Sequence, residues 1–122
     1  MIKILIVDEE AGIRRGLRMR LNVETDFFVV GETGDGWEAL RLARELQPDV
    51  VVTGIRLSGM DGFTLTERLH RDFQNCSVIV LSLYDDQSNR ERALKAGASA
   101  FVSKQKPDGE LIEAIRSIKS KS

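Results

Sequence analysis

The chain alternates between two hydrophobic periods. Residues 2 to 7 (IKILIV), 28 to 32 (FVVGE), 50 to 53 (VVVT), 78 to 82 (VIVLS) and 99 to 102 (SAFV) are short runs rich in β-branched and aromatic side chains. Such residues suit a pleated surface, so these runs predict strands. IKILIV, VVVT and VIVLS are almost wholly apolar, as strands covered on both faces must be. Between the runs, apolar residues recur at helical spacing: Ile13, Leu17 and Leu21; Trp37, Leu40 and Leu46 with Ala39 and Ala43; Phe63, Leu65, Leu69 and Phe73; Ala93, Leu94 and Ala96; Leu111, Ile112, Ile115 and Ile118. That spacing predicts helices that each bury one stripe, and it assigns Trp37 to the core. Strands alternating with helices predict right-handed βαβ crossovers and a parallel sheet with helices on both faces, a doubly wound α/β domain. The punctuation agrees: Gly34-Asp35-Gly36 precedes the second helix, Pro48 follows it, Gly97 ends the fourth and Pro107 lies near the start of the fifth. No internal linker or repeat interrupts the pattern. Residues 1–122 read as one domain, with KSKS after Ile118 as a frayed tail or the start of a linker.

Composition narrows the functional classes. Eighteen Lys plus Arg against nineteen Asp plus Glu leave a net charge of −1, so no global field draws this domain onto nucleic acid or an anionic membrane. Cys76 is the single cysteine, which excludes an internal disulfide and a cysteine-built metal site; beside an apolar run it reads as a buried thiol in a reducing compartment. MIKILIVDEE is apolar for too few residues to be a signal peptide or a membrane span, and a cytoplasmic protein is expected.

In open parallel sheets ligands bind beyond the carboxyl ends of the strands, and there the predicted strands carry chemistry. The first ends in Asp8-Glu9-Glu10, the third in Thr53-Gly54, the fourth in Ser82 and the fifth in Ser103-Lys104. Carboxylates hold a hard cation while hydroxyl and ammonium meet phosphoryl oxygens, so the set suits Mg²⁺ and a phosphoryl group. Plainer readings stand beside this one. The acids suit the positive end of a helix, Lys104 suits solvent, Ser82 suits a loop cap and Phe101 suits the core. His70 reads as a surface residue, and Arg14, Arg15, Arg18 and Arg20 read as a solvated face.

From Ile2 to about Ile118 the chain resembles the receiver domain of two-component response regulators, nearest to receivers that precede a helix-turn-helix output domain. The stretches ILIVDEE, DVVVTGIRLSGMDG, VIVLS and KAGASAFVSKQ carry the resemblance, in that order. It implies a flavodoxin-like fold. It makes Asp8 and Glu9 the acids that hold Mg²⁺, with the backbone carbonyl of Arg56 as a further ligand. Ser82 and Lys104 become the hydroxyl and ammonium that handle the phosphoryl group, and Ser82 and Phe101 the switch residues. The phosphoacceptor aspartate belongs at position 54, where this chain has Gly54, which has no side chain and forms no acyl phosphate. Ser58 and Gln105 stand where proline is common; the loop before Gly59 is expected to be less rigid, and the Lys104–Gln105 bond is open to either isomer.

The function implied is a signalling module rather than an enzyme, a degenerate receiver that binds Mg²⁺ weakly and acts through the face of the fourth helix, fifth strand and fifth helix. Two alternatives stay open: a phosphoacceptor that uses Asp8, Asp61, Thr53 or Ser58 as substitute, and a small-molecule binding module in the space at Gly54. The partners implied are an output domain, a histidine kinase, a second receiver or a second copy of the chain, with DNA contacted only through a separate C-terminal domain and no membrane.

Overall fold

The computed structural model describes residues 1–83, 86–104 and 109–120, the last two without their side chains. Its elements alternate: β1 (Ile2–Val7), α1 (Ala11–Asn22), β2 (Phe27–Thr33), α2 (Gly36–Leu46), β3 (Val50–Thr53), α3 (Gly62–Asp72), β4 (Ser77–Ser82), α4 (Gln87–Ala96), β5 (Ala100–Ser103) and α5 (Gly109–Ser120). The strands form one sheet in the order β2-β1-β3-β4-β5, and every neighbouring pair is parallel.

The period of two along each strand divides the interior into two cores. Leu5, Val7, Val51, Val78, Val80 and Phe101 point to one face, where Ala39 and Ala43 of α2, Phe63, Leu65 and Leu69 of α3, and Ala93 of α4 cover them. Ile4, Ile6, Val50, Val52, Ile79, Leu81 and Val102 point to the other, under Leu17 and Leu21 of α1 and Leu111 and Ile115 of α5. Full burial of a side chain of this size stabilises by about 1.5–3 kcal/mol, which is why the strands tolerate polar residues only at their ends.

Strand ends follow pairing partners rather than local composition. β2 extends one residue beyond each end of the run read from sequence, because Phe27 lies opposite Ile2 and Thr33 opposite Val7. β5 is shifted by one, since Ala100 faces Ile79 and Ser103 faces Ser82. α5 carries the backbone through Ser120, two residues into the stretch read as a frayed tail; Pro107 and the last two residues lie outside the described ones. The side chains of Asp35, Asp61 and Asp86 cap α2, α3 and α4 by accepting from first-turn N–H groups. Gly97 closes α4 at φ 111°, whereas α2 closes on Gln47, a non-glycine at φ 48°.

Two surface assignments differ from those of the sequence. Trp37 is 54% exposed, because the adjacent alanines take the inward stripe of α2, and the Arg68 guanidinium stands 5.0 Å from its ring centroid. Cys76 is partly buried against the α2–α3–α4 core. His70 is exposed, as expected. No helix among the described residues is long and apolar enough to cross a membrane.

Arg116 ties α5 to the α1–β2 turn. It reaches Glu24 at 2.6 Å and Asp26 at 2.8 Å, and its guanidinium lies 5.0 Å from the ring centroid of Phe27. The hydrogen bond from Arg116 holds the Asp26 carboxyl below its usual pKa.

Gly16 stands inside α1, and a Cβ there would meet nothing within 4 Å. Gly16→Ala is therefore expected to raise stability by about 0.5–1 kcal/mol through backbone entropy alone. The thermal midpoint should rise by roughly 2–4 °C for a domain of this size; an unchanged or lowered midpoint in a calorimetric scan contradicts this account.

Candidate functional site

The chain runs from β1 out to the edge strand β2 and returns on the other side of β1 as β3. This reversal opens a crevice at the carboxyl ends of β1 and β3. Val7 lies opposite Thr53, so Asp8 and Gly54 emerge side by side. Ser82 lies opposite Ser103 at the end of β5, and the Lys104 N–H donates to the Ser82 carbonyl at 2.6 Å. A cleft of about 400 Å³ results, lined by Asp8, Glu9, Glu10, Gly54, Arg56, Ser82, Asn89 and Lys104 among others.

Asp8 is the electrostatic centre. It is 4% exposed, and both carboxylate oxygens are engaged. Oδ1 accepts the Glu10 N–H at 3.0 Å, while Oδ2 accepts from the Lys104 ammonium at 2.8 Å. A carboxylate so buried is costly without a counter-charge, and Lys104 supplies one across 96 positions of sequence. Arg14 braces the same turn from α1. Its Nη1 donates to the Asp8 carbonyl at 2.6 Å and to the Glu9 carbonyl at 3.3 Å, and its Nε pairs with Glu32 at 3.2 Å. Arg18 pairs with the same Glu32. The expected solvated arginine face is thus corrected at Arg14, 19% exposed, whereas Arg18 keeps to solvent while it pairs. The signal available in the sequence was their spacing of four along one helix, facing an acid near the end of the neighbouring strand.

At Gly54 the backbone does what a side chain does elsewhere. Its N–H donates to the Val7 carbonyl at 2.8 Å, and its own carbonyl accepts from the buried Thr53 hydroxyl at 2.9 Å. A Cβ at position 54 would lie 2.9 Å from Asp8 Oδ2, so the Asp8 carboxylate borders the space that an added side chain would enter. α3 begins hard against this point: Gly62 donates to the Ile55 carbonyl at 2.6 Å, and a Cβ on Gly62 would fall 2.0 Å from the Gly54 oxygen. The intervening loop, expected to be less rigid for want of a proline at Ser58, is bonded through Ser58 to the β2–α2 turn. Ser58 N–H donates to the Gly34 carbonyl at 3.0 Å, and Gly36 N–H donates to the Ser58 carbonyl at 2.8 Å. A proline at position 58 has no N–H to make the first of these bonds.

The remaining sequence-derived residues divide by position. Glu9, Arg56, Ser82 and Lys104 line the cleft with Asp8 and Gly54. Phe101 is 4% exposed and packed in the α2–α3–α4 core, where the Arg90 guanidinium lies 4.9 Å from its ring centroid. Asp61 caps α3 by accepting from Thr64 N–H at 2.9 Å and Thr64 Oγ1 at 3.1 Å. Asn89, on the first turn of α4, lines the cleft and carries no motif that singles it out. Gln105, and with it the Lys104–Gln105 bond, lies outside the described residues.

Mg²⁺ demands near-octahedral oxygen coordination with carboxylate among the ligands. Among the described residues no three His, Cys, Asp or Glu side chains group closely enough to hold a metal, and Asp8 Oδ2 faces the Lys104 ammonium, a charge that a cation would have to displace. The residues present fit this ion poorly.

Residues 4–116 match the response regulator receiver domain family. The chain is 35% identical over 116 residues to the transcriptional regulatory protein LiaR of Bacillus subtilis, covering 95% of this chain and 55% of that protein. It is 33% identical over 118 residues to the oxygen regulatory protein NreC of Staphylococcus epidermidis, covering 96% and 54%. The chain therefore spans about half the length of the curated relatives it matches. Among solved structures, the signal receiver domain of the putative response regulator NarL from Mycobacterium tuberculosis superposes with a TM-score of 0.90 at 27% identity, covering 96% of this chain and 94% of that one. A two-component response regulator of the LuxR family from Aurantimonas also gives 0.90, at 31% identity, covering 95% and 83%.

Because a Cβ on Gly62 meets a backbone oxygen rather than a flexible side chain, Gly62→Ala is expected to displace the start of α3 from the end of β3. The cost should be about 1–3 kcal/mol, as for other overpacked sites. Chemical denaturation measures it, and a variant within 0.5 kcal/mol of the parent, the range of about ±0.5 expected for neutral surface changes, rules the contact out as a constraint.

Proposed function

The chain belongs to the response regulator receiver domain family, and within that family we propose that it is a pseudo-receiver: one domain over residues 1–122 that signals through protein contacts without aspartyl phosphorylation. The observation that carries this reading is Gly54. It occupies the end of the central strand, between the buried Asp8 and the cleft that Lys104 and Ser82 line, and there it offers no carboxylate. A phosphoryl group needs a nucleophile placed in line, and the substitutes nearby have other employment. The Thr53 hydroxyl is buried and bonded to the Gly54 carbonyl, Asp61 caps α3 and Asp8 is held by Lys104 and Glu10.

In this reading Asp8, Glu9 and the Arg56 carbonyl are the remains of a Mg²⁺ set, and Mg²⁺ binds weakly or not at all. Ser82 and Lys104 are the remains of the phosphoryl-handling pair, and Phe101 keeps the place of a switch aromatic within the core. What survives is a surface. The face of α4, β5 and α5 presents Leu94, 49% exposed, and serves contacts with an output domain, a histidine kinase or another receiver in the cytoplasm. DNA is reached only through a separate domain. The cleft beside Gly54 supports a second reading, a small ligand in place of the phosphoryl group, because its volume of about 400 Å³ falls within the usual range for ligand pockets.

The test is phosphorylation by acetyl phosphate with Mg²⁺, read by intact mass. The chain itself should gain no phosphoryl group. Gly54→Asp should gain one, with the Asp8 carboxylate yielding to make room, and Gly54→Asn should not. Stoichiometric labelling of the parent chain overturns the reading.

A further inference from the structure

The ion pair between Asp8 and Lys104 has a consequence for metals. Lys104 is held at both ends, its N–H on the Ser82 carbonyl at 2.6 Å and its ammonium on Asp8 Oδ2 at 2.8 Å. The lysine side chain is 21% exposed and that of Asp8 5%, so little water competes for the contact and screening is weak. The same Oδ2 lies 2.9 Å from the position of a Cβ on residue 54. A carboxylate carried on that Cβ would crowd Asp8 and contend with it for the ammonium; with Gly54, Asp8 is the carboxylate that the ammonium meets among the described residues. Arg14 closes a second approach, since its guanidinium occupies the carbonyl oxygens of Asp8 and Glu9.

We propose that Lys104 excludes metal from this domain: its ammonium is the permanent counter-ion of Asp8 and stands in for a divalent cation. A dication entering the cleft must first displace an ammonium that has no other described carboxylate partner, and among the described residues the acids that line the cleft are Asp8, Glu9 and Glu10. The ends of β1 and β5 are thereby joined at all metal concentrations, and the cleft geometry is independent of Mg²⁺. The proposal rests on reading Gly54 as a vacated acceptor position.

Mn²⁺ titrated into the parent chain and into Lys104→Met tests it, followed by paramagnetic broadening of backbone amide signals and by thermal melting. The parent's Glu9 and Gly54 amides should stay sharp, and its midpoint should not move with Mn²⁺. Lys104→Met should melt lower without metal, bind Mn²⁺ at least about tenfold more tightly than the parent, and regain part of its lost midpoint when Mn²⁺ is added. Adding Asp8→Asn to Lys104→Met should abolish that regain, and Lys104→Arg should behave as the parent. If Lys104→Met does not fold, Lys104→Gln, which keeps a donor for Asp8, takes its place with the same expected gain. Equal Mn²⁺ affinity in the parent and the lysine variant overturns the proposal, as does a variant that gains no affinity. Phosphorylation of the parent overturns the pseudo-receiver reading alone, whereas Mn²⁺ binding by an unphosphorylatable parent overturns only this one.

Discussion

A parallel sheet covered on both faces leaves a charged side chain no place except the ends of its strands. From Ile4 to Val7 and from Val50 to Val52, β1 and β3 are apolar on both faces, and their hydrogen-bonding edges are taken by neighbours. Polar chemistry is thus pushed to the carboxyl edge, where Asp8, Thr33, Thr53, Ser82 and Ser103 are the buried polar residues at or just past the strand ends. The reversal of chain direction between β2 and β3 makes that edge a crevice rather than a ridge. Packing and topology together, before any particular chemistry, decide that these residues meet.

What meets there is governed by the cost of burying Asp8. An uncompensated carboxylate at 4% exposure would destabilise the fold by several kcal/mol, and removing either partner of such a pair is as damaging as the pair itself is neutral. Lys104, the Glu10 N–H and Arg14 surround it from three elements. Each contact therefore joins parts of the chain that the two apolar cores do not hold directly: the end of β5, the first turn of α1 and the β1–α1 loop. The cleft is a structural knot as much as a chemical site, because its polar contacts tie the ends of β1 and β5 to α1.

The layered fold was legible in the sequence because two-sided burial writes itself into composition: IKILIV, VVVT and VIVLS read as covered strands and are so. The residues of the cleft were legible for the same reason, as the polar residues that end those runs. Strand limits were less so, because Phe27 and Ser103 belong to the sheet through partners on other strands. Trp37 was misplaced because helical spacing counts apolar residues without weighing them; Ala39 and Ala43 take the inner face and leave the larger ring outside. Arg14 was hidden by its own neighbours. Four arginines on one helix suggest solvent, and only the proximity of Glu32 and of the Asp8 carbonyl in space separates Arg14 from Arg15.

Gly54 and Gly62 stand at the two ends of one loop, yet they differ in kind. At position 54 an added Cβ meets a side-chain oxygen, Asp8 Oδ2 at 2.9 Å; at position 62 it meets the carbonyl oxygen of Gly54 itself at 2.0 Å. The first glycine is a chemical choice and the second a geometric necessity. Tolerance to substitution is therefore lopsided: at the strand end the neighbour that must give is a side chain, while at the helix start it is the backbone.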